Sequence, residues 1–208
     1  MTTIMQVSAE PKTQVKISYE EFLEQTYESQ HVEWVDGEVI EMSPISDRHE
    51  DVSGFLKPLL RLFVEAHHLG IIRGEPFQMK PALSLPGRAP DFFFIATAHL
   101  DRLRNTYLEG PADLVVEIIS PESRSRDRGD KFFEYEAAGI PEYWLIDPMR
   151  QQAEFYQLGA DGIYRPTPFD SQGRYHSAAL PGLWLQVSWL WEVPLPPLLS
   201  VLKAWGLI

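Results

Sequence analysis

The sequence contains no cysteine among its 208 residues. Disulfide bonds, thiolate zinc sites and cysteine nucleophiles are therefore excluded. The N-terminus lacks a basic region followed by an apolar core, and no apolar run approaches the ~20 residues that span a bilayer. We therefore expect a cytoplasmic protein without a membrane partner.

Positive charge is also scarce, because 18 Lys and Arg residues face 30 Asp and Glu residues, a formal net charge of −12. A protein that binds phosphate backbones by charge alone is expected to carry a basic face. The overall charge therefore argues against a nucleic-acid ligand, unless metal ions and a local basic patch offset the acidic surface.

Length and composition are those of one large globular unit, since 44% of the residues are hydrophobic. We expect residues 1–17 to form a loose N-terminal segment and residues 18–208 to form a single α/β domain. The aromatic tail 192–208 is expected to dock on that domain, because its prolines interrupt any membrane anchor.

Periodicity and turn residues predict the order of the elements along the chain. Helices are predicted at 18–28, 48–69 and 124–139, with Gly70 ending the second, and strands at 71–81, 89–97, 112–120 and 142–148. Hairpins are predicted at Asp36-Gly37 and around Gly159–Gly162.

Glu117 stands in the middle of the apolar run LVVEII, which reads as a central strand buried on both faces. A buried carboxylate is normally paired, protonated or bound to a metal. Asp91 opens the preceding strand, so antiparallel pairing of the two strands would bring Asp91 beside Glu117. Two adjacent carboxylates repel unless a cation lies between them, and hard oxygen ligands suit Mg²⁺ or Mn²⁺.

Lys131 shares a helical face with Asp127 and Tyr135 at four-residue spacing. It could form a surface ion pair with Asp127, or it could reach the carboxylates if the helix packs back on the sheet. Two acidic ligands and one lysine suit phosphodiester hydrolysis, in which a metal polarises the phosphoryl oxygen and the lysine orients water or neutralises developing charge.

The combination of Pro90-Asp91, Glu117 in VVEIISPES, and DRGDKFFEYEAAGIPEYWLIDP resembles the PD-(D/E)XK nuclease superfamily. More narrowly, it resembles the bacterial putative restriction endonuclease family that is often called the Uma-two family. The likeness runs from about Ser18 to Leu190 and is most specific over 112–148. It implies a restriction-endonuclease-like α+β core, with a mixed central sheet flanked by helices and an N-terminal helix and β-hairpin.

The resemblance also implies an active site with a bound Mg²⁺ (or Mn²⁺). Asp91, Glu117 and the backbone carbonyl of Ile118 would be the metal ligands. The general pattern expects a lysine two residues after the acid, where this chain has Ile119, so the resemblance implies that Lys131 takes that role.

Glu33 and His49 match positions that recur in the family. Glu33 could extend the metal site or be a solvated hairpin charge. His49 could be catalytic, or it could cap or pack the long helix.

Three arginines, Arg124, Arg126 and Arg128, are the best local candidates for phosphate contacts, although charge runs of this size are usually just solvated. We expect a Mg²⁺-dependent endonuclease-like phosphodiesterase that hydrolyses DNA. A non-catalytic nuclease-fold interaction or regulatory module, or a metal-dependent hydrolase of another phosphoester, remains open as an alternative. The resemblance implies a homodimer, because two cuts in a duplex need two sites.

Overall fold

The computed structural model describes residues 16–25 and 32–208. Within these ranges the helices are α1 (Tyr19–Glu24), α2 (Asp47–Ala66), α3 (Arg124–Arg128), α4 (Asp130–Ala137) and α5 (Leu198–Ala204). The strands are β1 (Val32–Val35), β2 (Glu38–Glu41), β3 (Gly70–Arg73), β4 (Gln78–Lys80), β5 (Phe92–Ala96), β6 (Tyr107–Glu109), β7 (Leu114–Ile118), β8 (Glu142–Asp147), β9 (Gln152–Leu158), β10 (Tyr164–Pro166), β11 (Arg174–His176) and β12 (Trp184–Gln186). Most of the predicted loose segment, residues 1–15, and the end of the first predicted helix, residues 26–28, lie outside the described residues.

The central sheet is mixed and six-stranded, with the order β10-β9-β8-β7-β5-β3. Strands β7 and β8 run parallel, joined by a crossover through α3 and α4, whereas the other neighbouring pairs are antiparallel. Strand β7 is therefore interior to the sheet and all five of its residues are buried. The prediction of a mixed sheet flanked by helices is confirmed.

Alternation along the strands divides the core into two clusters, one on each face of the sheet. Phe92, Phe94 and Val116 face a cluster that contains the apolar side of α2 and the C-terminal residues Val201 and Leu202. The opposite cluster is formed by Phe93, Ile95, Val115, Ile119, Tyr135, Tyr143 and Leu145, among others. Since both faces are covered, a charged side chain in the middle of β7 is largely shielded from solvent, and Glu117 is 3% exposed.

The N-terminal helix and hairpin form as the sequence predicts. Ser18 Oγ accepts a hydrogen bond from the Glu21 backbone N–H, and the Glu21 carboxylate accepts one from Ser18 N, which completes a capping box. Strands β1 and β2 are antiparallel, and Asp36 and Gly37 have φ values of 50° and 91°. These positive values are typical of the tight turn that an Asp-Gly pair favours.

Three predicted boundaries are wrong. The second helix ends at Ala66, because His68 adopts a φ of 54°, and Gly70 instead opens β3. The predicted strand 71–81 is two strands, β3 and β4, which belong to different sheets. The predicted helix 124–139 breaks at Gly129, where a Cβ would lie 2.6 Å from the Ser125 carbonyl oxygen. Only a residue without a side chain fits that break.

The C-terminal tail ends in α5, whose Val201 and Leu202 pack in the same cluster as α2. Trp205 Nε1 donates to the Trp184 carbonyl oxygen at 2.8 Å, which ties the end of α5 to β12. No helix within 16–25 and 32–208 is both long and apolar enough to cross a membrane.

Candidate active site

Strands β5 and β7 bring Asp91 to the C-terminal end of β7. Their pairing is antiparallel, as predicted, and places Phe92 opposite Val116. Asp91 precedes Phe92 and leaves the ladder, so its side chain Oδ2 accepts a hydrogen bond from the Ile118 backbone N–H at 2.6 Å. This bond fixes the Asp91 carboxylate beside the strand that carries Glu117.

A cleft of about 180 Å³ opens at this point, and nine ionisable residues line it. They are Glu41, His49, Glu75, Asp91, Glu117, Glu122, Arg126, Asp127 and Lys131. Ile118 lines the same cleft. The structure therefore brings together Asp91, Glu117 and Lys131, which are separated by up to 40 positions in the sequence.

Glu117 and Lys131 form a buried ion pair, with Lys131 Nζ 2.9 Å from Glu117 Oε1. Tyr135 Oη donates to the same oxygen at 3.0 Å, whereas no described residue donates to Oε2. Burial raises the pKa of Glu117; Lys131 opposes that shift, and the charges of Asp127, Asp91 and Glu33 reinforce it. The carboxylate is thus held in a site that disfavours its negative charge unless a cation is near.

Lys131 is not half of a surface pair with Asp127, because both side chains are buried. Its ammonium contacts three carboxylates, those of Glu117, Glu33 and Asp127, at 2.9, 3.1 and 3.4 Å. Burial alone lowers the pKa of Lys131, but these three negative charges together raise it well above its ordinary value. The side chain therefore remains an ammonium near neutral pH.

The interpretation of Glu33 as a solvated hairpin charge is wrong, because its side chain is fully buried. Its Oε2 accepts a hydrogen bond from Arg88 Nη1 at 2.9 Å, and its Oε1 contacts Lys131. Arg88 also donates to both carboxylate oxygens of Glu134, at 2.8 and 2.6 Å. Sequence reasoning missed Arg88 and Glu134, and no local pattern marks them, because their partners are distant in the chain.

His49 does not cap its helix; Ser46 Oγ does, by accepting from the His49 backbone N–H. The His49 ring instead places Nε2 2.9 Å from Asp91 Oδ1. Burial lowers the pKa of His49, but the hydrogen bond and charge of Asp91, aided by Glu75 and Glu50, outweigh burial and raise it. The ring thereby holds the second oxygen of the Asp91 carboxylate.

The three arginines of the cluster have different surroundings in the structure. Arg124 donates to Asp147 on β8 at 3.0 and 3.2 Å, and Arg128 donates to Glu154 on β9 at 2.5 Å. Both side chains therefore fasten α3 to the sheet. Arg126 points into the cleft, and its contact with Glu33 Oε2 is long, at 3.9 Å.

The family model described as "Uma2: Putative restriction endonuclease" matches residues 19–188. This chain belongs to the Uma2 family. A "putative nuclease belonging to DUF820 from Anabaena variabilis ATCC 29413" has a similar structure, with a TM-score of 0.67 and 18% sequence identity. The match covers 84% of this chain and 97% of that one, which shows a shared fold. None of the curated proteins matches this chain.

Membership of the Uma2 family indicates a restriction-endonuclease-like nuclease with a nucleic-acid substrate, and such families generally use divalent metals. Among the described residues no group of three or more His, Asp or Glu side chains is arranged to hold a metal. Mg²⁺ requires only one or two carboxylates, because it keeps several waters. Asp91 and Glu117 retain unused oxygen lone pairs, so this Uma2 cleft fits a hard divalent cation.

Proposed function

We propose that this protein is a Mg²⁺-dependent, or Mn²⁺-dependent, endonuclease-like phosphodiesterase that hydrolyses DNA. One observation carries the proposal: a buried ammonium lies 2.9 Å from Glu117 Oε1, in a cleft that Asp91 also lines. Two carboxylates and a permanently charged lysine at one point are the groups that phosphodiester hydrolysis needs.

Asp91, Glu117 and the Ile118 carbonyl would hold the metal, which supplies a polarised phosphoryl oxygen and a bound water of lowered pKa. The chain orients these ligands before any substrate arrives. Asp91 Oδ1 lies against His49 Nε2 and its Oδ2 accepts from the Ile118 N–H, so the carboxylate has one orientation. Tyr135 holds Glu117 in the same way.

Lys131 serves as a fixed positive charge and not as a general base, because its raised pKa keeps the proton on Nζ. An ammonium beside the scissile phosphate stabilises the negative charge that develops on the phosphoryl oxygens. Its hydrogens can also orient the attacking water.

Arg126 supports a phosphate-bearing substrate. It lines the cleft, and its buried Nε has no hydrogen-bond partner among the described residues. The guanidinium can therefore donate to a phosphate without first breaking a strong ion pair. This local cation offsets part of the repulsion between DNA and a chain of net charge −12.

We also propose that residues 18–208 act as one nuclease domain and that the protein works as a homodimer, since two cuts in a duplex need two sites. Light scattering of the purified protein tests the second point. A monomer that cleaves both strands would contradict it.

The test of function is a cleavage assay on supercoiled plasmid and on single-stranded DNA, with Mg²⁺, Mn²⁺ or EDTA. We expect metal-dependent cleavage that Asp91→Asn lowers by about 10²-fold or more, since it removes a ligand charge. Asp161→Asn is the matched control, because Asp161 is an exposed carboxylate whose partner is Arg165. Cleavage that persists in EDTA, or that survives Asp91→Asn, contradicts the proposal. DNA binding without hydrolysis favours a non-catalytic module.

A further inference from the structure

A buried chain of charges lies behind Lys131, on the side away from the cleft. Glu33 contacts Lys131 through Oε1 at 3.1 Å and Arg88 through Oε2 at 2.9 Å. Arg88 is 2% exposed and Glu33 0% exposed, so water cannot compensate either charge. The two oxygens of Glu33 are thus committed to two different cations of the same chain.

Glu33 reaches this position from outside the central sheet. It belongs to β1, which pairs with β2 in a separate two-stranded sheet. Trp34 and Gly87 exchange two backbone hydrogen bonds, of 3.0 and 2.9 Å, directly beside Glu33 and Arg88. The hairpin is therefore fastened to the segment that leads into Asp91, at the place where it delivers its carboxylate.

Lys131 needs a partner that does not face the substrate. Its four-carbon stem is flexible, and Glu117 is one of the groups that would share its charge with a bound cation. Glu33 does not line the cleft, and its Oε1 already lies against the ammonium. Its negative charge therefore balances the positive charge of Lys131 whether or not a metal or substrate is bound in the cleft. Arg88 in turn supplies positive charge that allows Glu33 to remain ionised. Burial raises the pKa of Glu33, but the charges of Lys131, Arg88 and Arg126 outweigh burial and lower it.

We propose that Glu33 is the positioning residue of Lys131, with Arg88 as its counter-charge, so that the β1–β2 hairpin completes the active site. The catalytic part of this inference rests on the proposed function; the contact between Glu33 and the ammonium does not. Glu33 acts through the lysine and has no contact with the substrate.

The structure offers a matched pair of variants, Glu33→Gln and Glu134→Gln. Each removes one carboxylate partner of Arg88, but only Glu33 touches Lys131. Displacing a catalytic group by about 1 Å can lower a rate about 10²-fold. We therefore expect Glu33→Gln to lower kcat about 10²-fold with little change in KM, and Glu134→Gln to lower it less than about tenfold.

A second readout does not depend on cleavage. In ¹⁵N-lysine-labelled protein without metal, a buried, paired ammonium exchanges its protons slowly and gives an observable Nζ–H signal. We expect Glu33→Gln to shift or broaden the Lys131 signal strongly and Glu134→Gln to leave it close to wild type. If Glu33→Gln does not fold, Glu33→Asp serves, because it keeps the charge but withdraws it by one methylene.

The two readouts separate the inference from the proposed function. A wild type that cleaves no DNA overturns the proposed function, and the Lys131 signal still decides whether Glu33 positions the lysine. Equal effects of Glu33→Gln and Glu134→Gln on kcat and on the signal would show that both residues only support folding, and would overturn the inference. Where both variants fold, an effect of Glu33→Asp on kcat that lies between wild type and Glu33→Gln supports it, since the charge remains but lies one methylene farther from Lys131.

Discussion

Replacing Glu117 by Gln tests the charge balance of the site most directly. The amide keeps one acceptor oxygen for Lys131 and Tyr135 but loses the negative charge. A hydrogen bond to a charged group contributes about 1.5–3 kcal/mol and one to a neutral group about 0.5–1.5, so the two bonds together lose about 2 kcal/mol. Losing the negative charge offsets this loss, because burial and the repulsion from Asp127 and Asp91 outweigh the attraction of Lys131 and raise the pKa of Glu117.

Lys131 would not be left unpaired by this change, because Glu33 and Asp127 remain 3.1 and 3.4 Å from its ammonium. The penalty of about 3–5 kcal/mol for stranding a buried charge therefore does not apply. We expect the free energy of unfolding in EDTA to change by less than about 1 kcal/mol, which keeps Tm within about 2–4 °C of wild type for a chain of this size.

Thermal melts of wild type and Glu117→Gln, each in Mg²⁺ and in EDTA, measure the stability change caused by the substitution and the stabilisation by bound metal. Wild type should gain about 2.7 kcal/mol at 100 times the Kd of the metal, whereas the variant should gain little. Glu192→Gln, an exposed change of the same chemistry, is the control. A drop of more than about 10 °C for Glu117→Gln in EDTA would refute the reasoning, because Lys131 would then depend on Glu117 alone.

Three further predictions follow from single contacts. The pKa of His49 is raised above 6.5 by its pairing with Asp91, so this pairing stabilises the protein below pH 6.5. The stabilisation is lost as the pH rises through the pKa of the folded state. The Tm values of wild type and His49→Gln, measured in EDTA between pH 5.5 and 9, should therefore converge at high pH. Glu142 is buried and accepts five hydrogen bonds with no cation among its described partners, so Glu142→Gln should lower the free energy of unfolding by about 2–5 kcal/mol in a denaturant titration. Arg126→Ala should weaken DNA binding and reduce the salt slope by about 1 in fluorescence anisotropy, with only a small fall in Tm because its contact with Glu33 is long. Arg124→Ala should lower Tm more, because it strands the buried Asp147; equal effects of the two arginine variants on binding would contradict these separate roles.

The convergence of the carboxylates and the lysine could be predicted from sequence because it depends on local rules. Antiparallel pairing of two neighbouring strands places the start of β5 beside the end of β7. Four-residue spacing places Lys131 and Tyr135 on one side of α4, and both are buried there. Both rules act over a few residues or a single strand connection, so a single sequence contains them.

The charge network behind Lys131 could not be predicted in this way. Arg88 meets Glu33 across 55 positions and Glu134 across 46. Neither separation corresponds to a helical or strand period, and an isolated glutamate in a hairpin is most often solvated. The break at Gly129 was missed for a different reason, since the polar and apolar pattern continues through it while the backbone does not.

The position of Lys131 on α4 and its contact with the buried Glu33 have a common physical explanation. Position 119, two residues after the acid, is occupied by Ile119, which is 1% exposed and packs in the cluster that contains Tyr135. A lysine at position 119 would have to leave that apolar cluster. Lys131, on α4, instead brings its ammonium to 2.9 Å from Glu117 Oε1. The four-carbon stem of Lys131 is flexible, so the second contact to Glu33, itself held by Arg88, fixes the position of the ammonium.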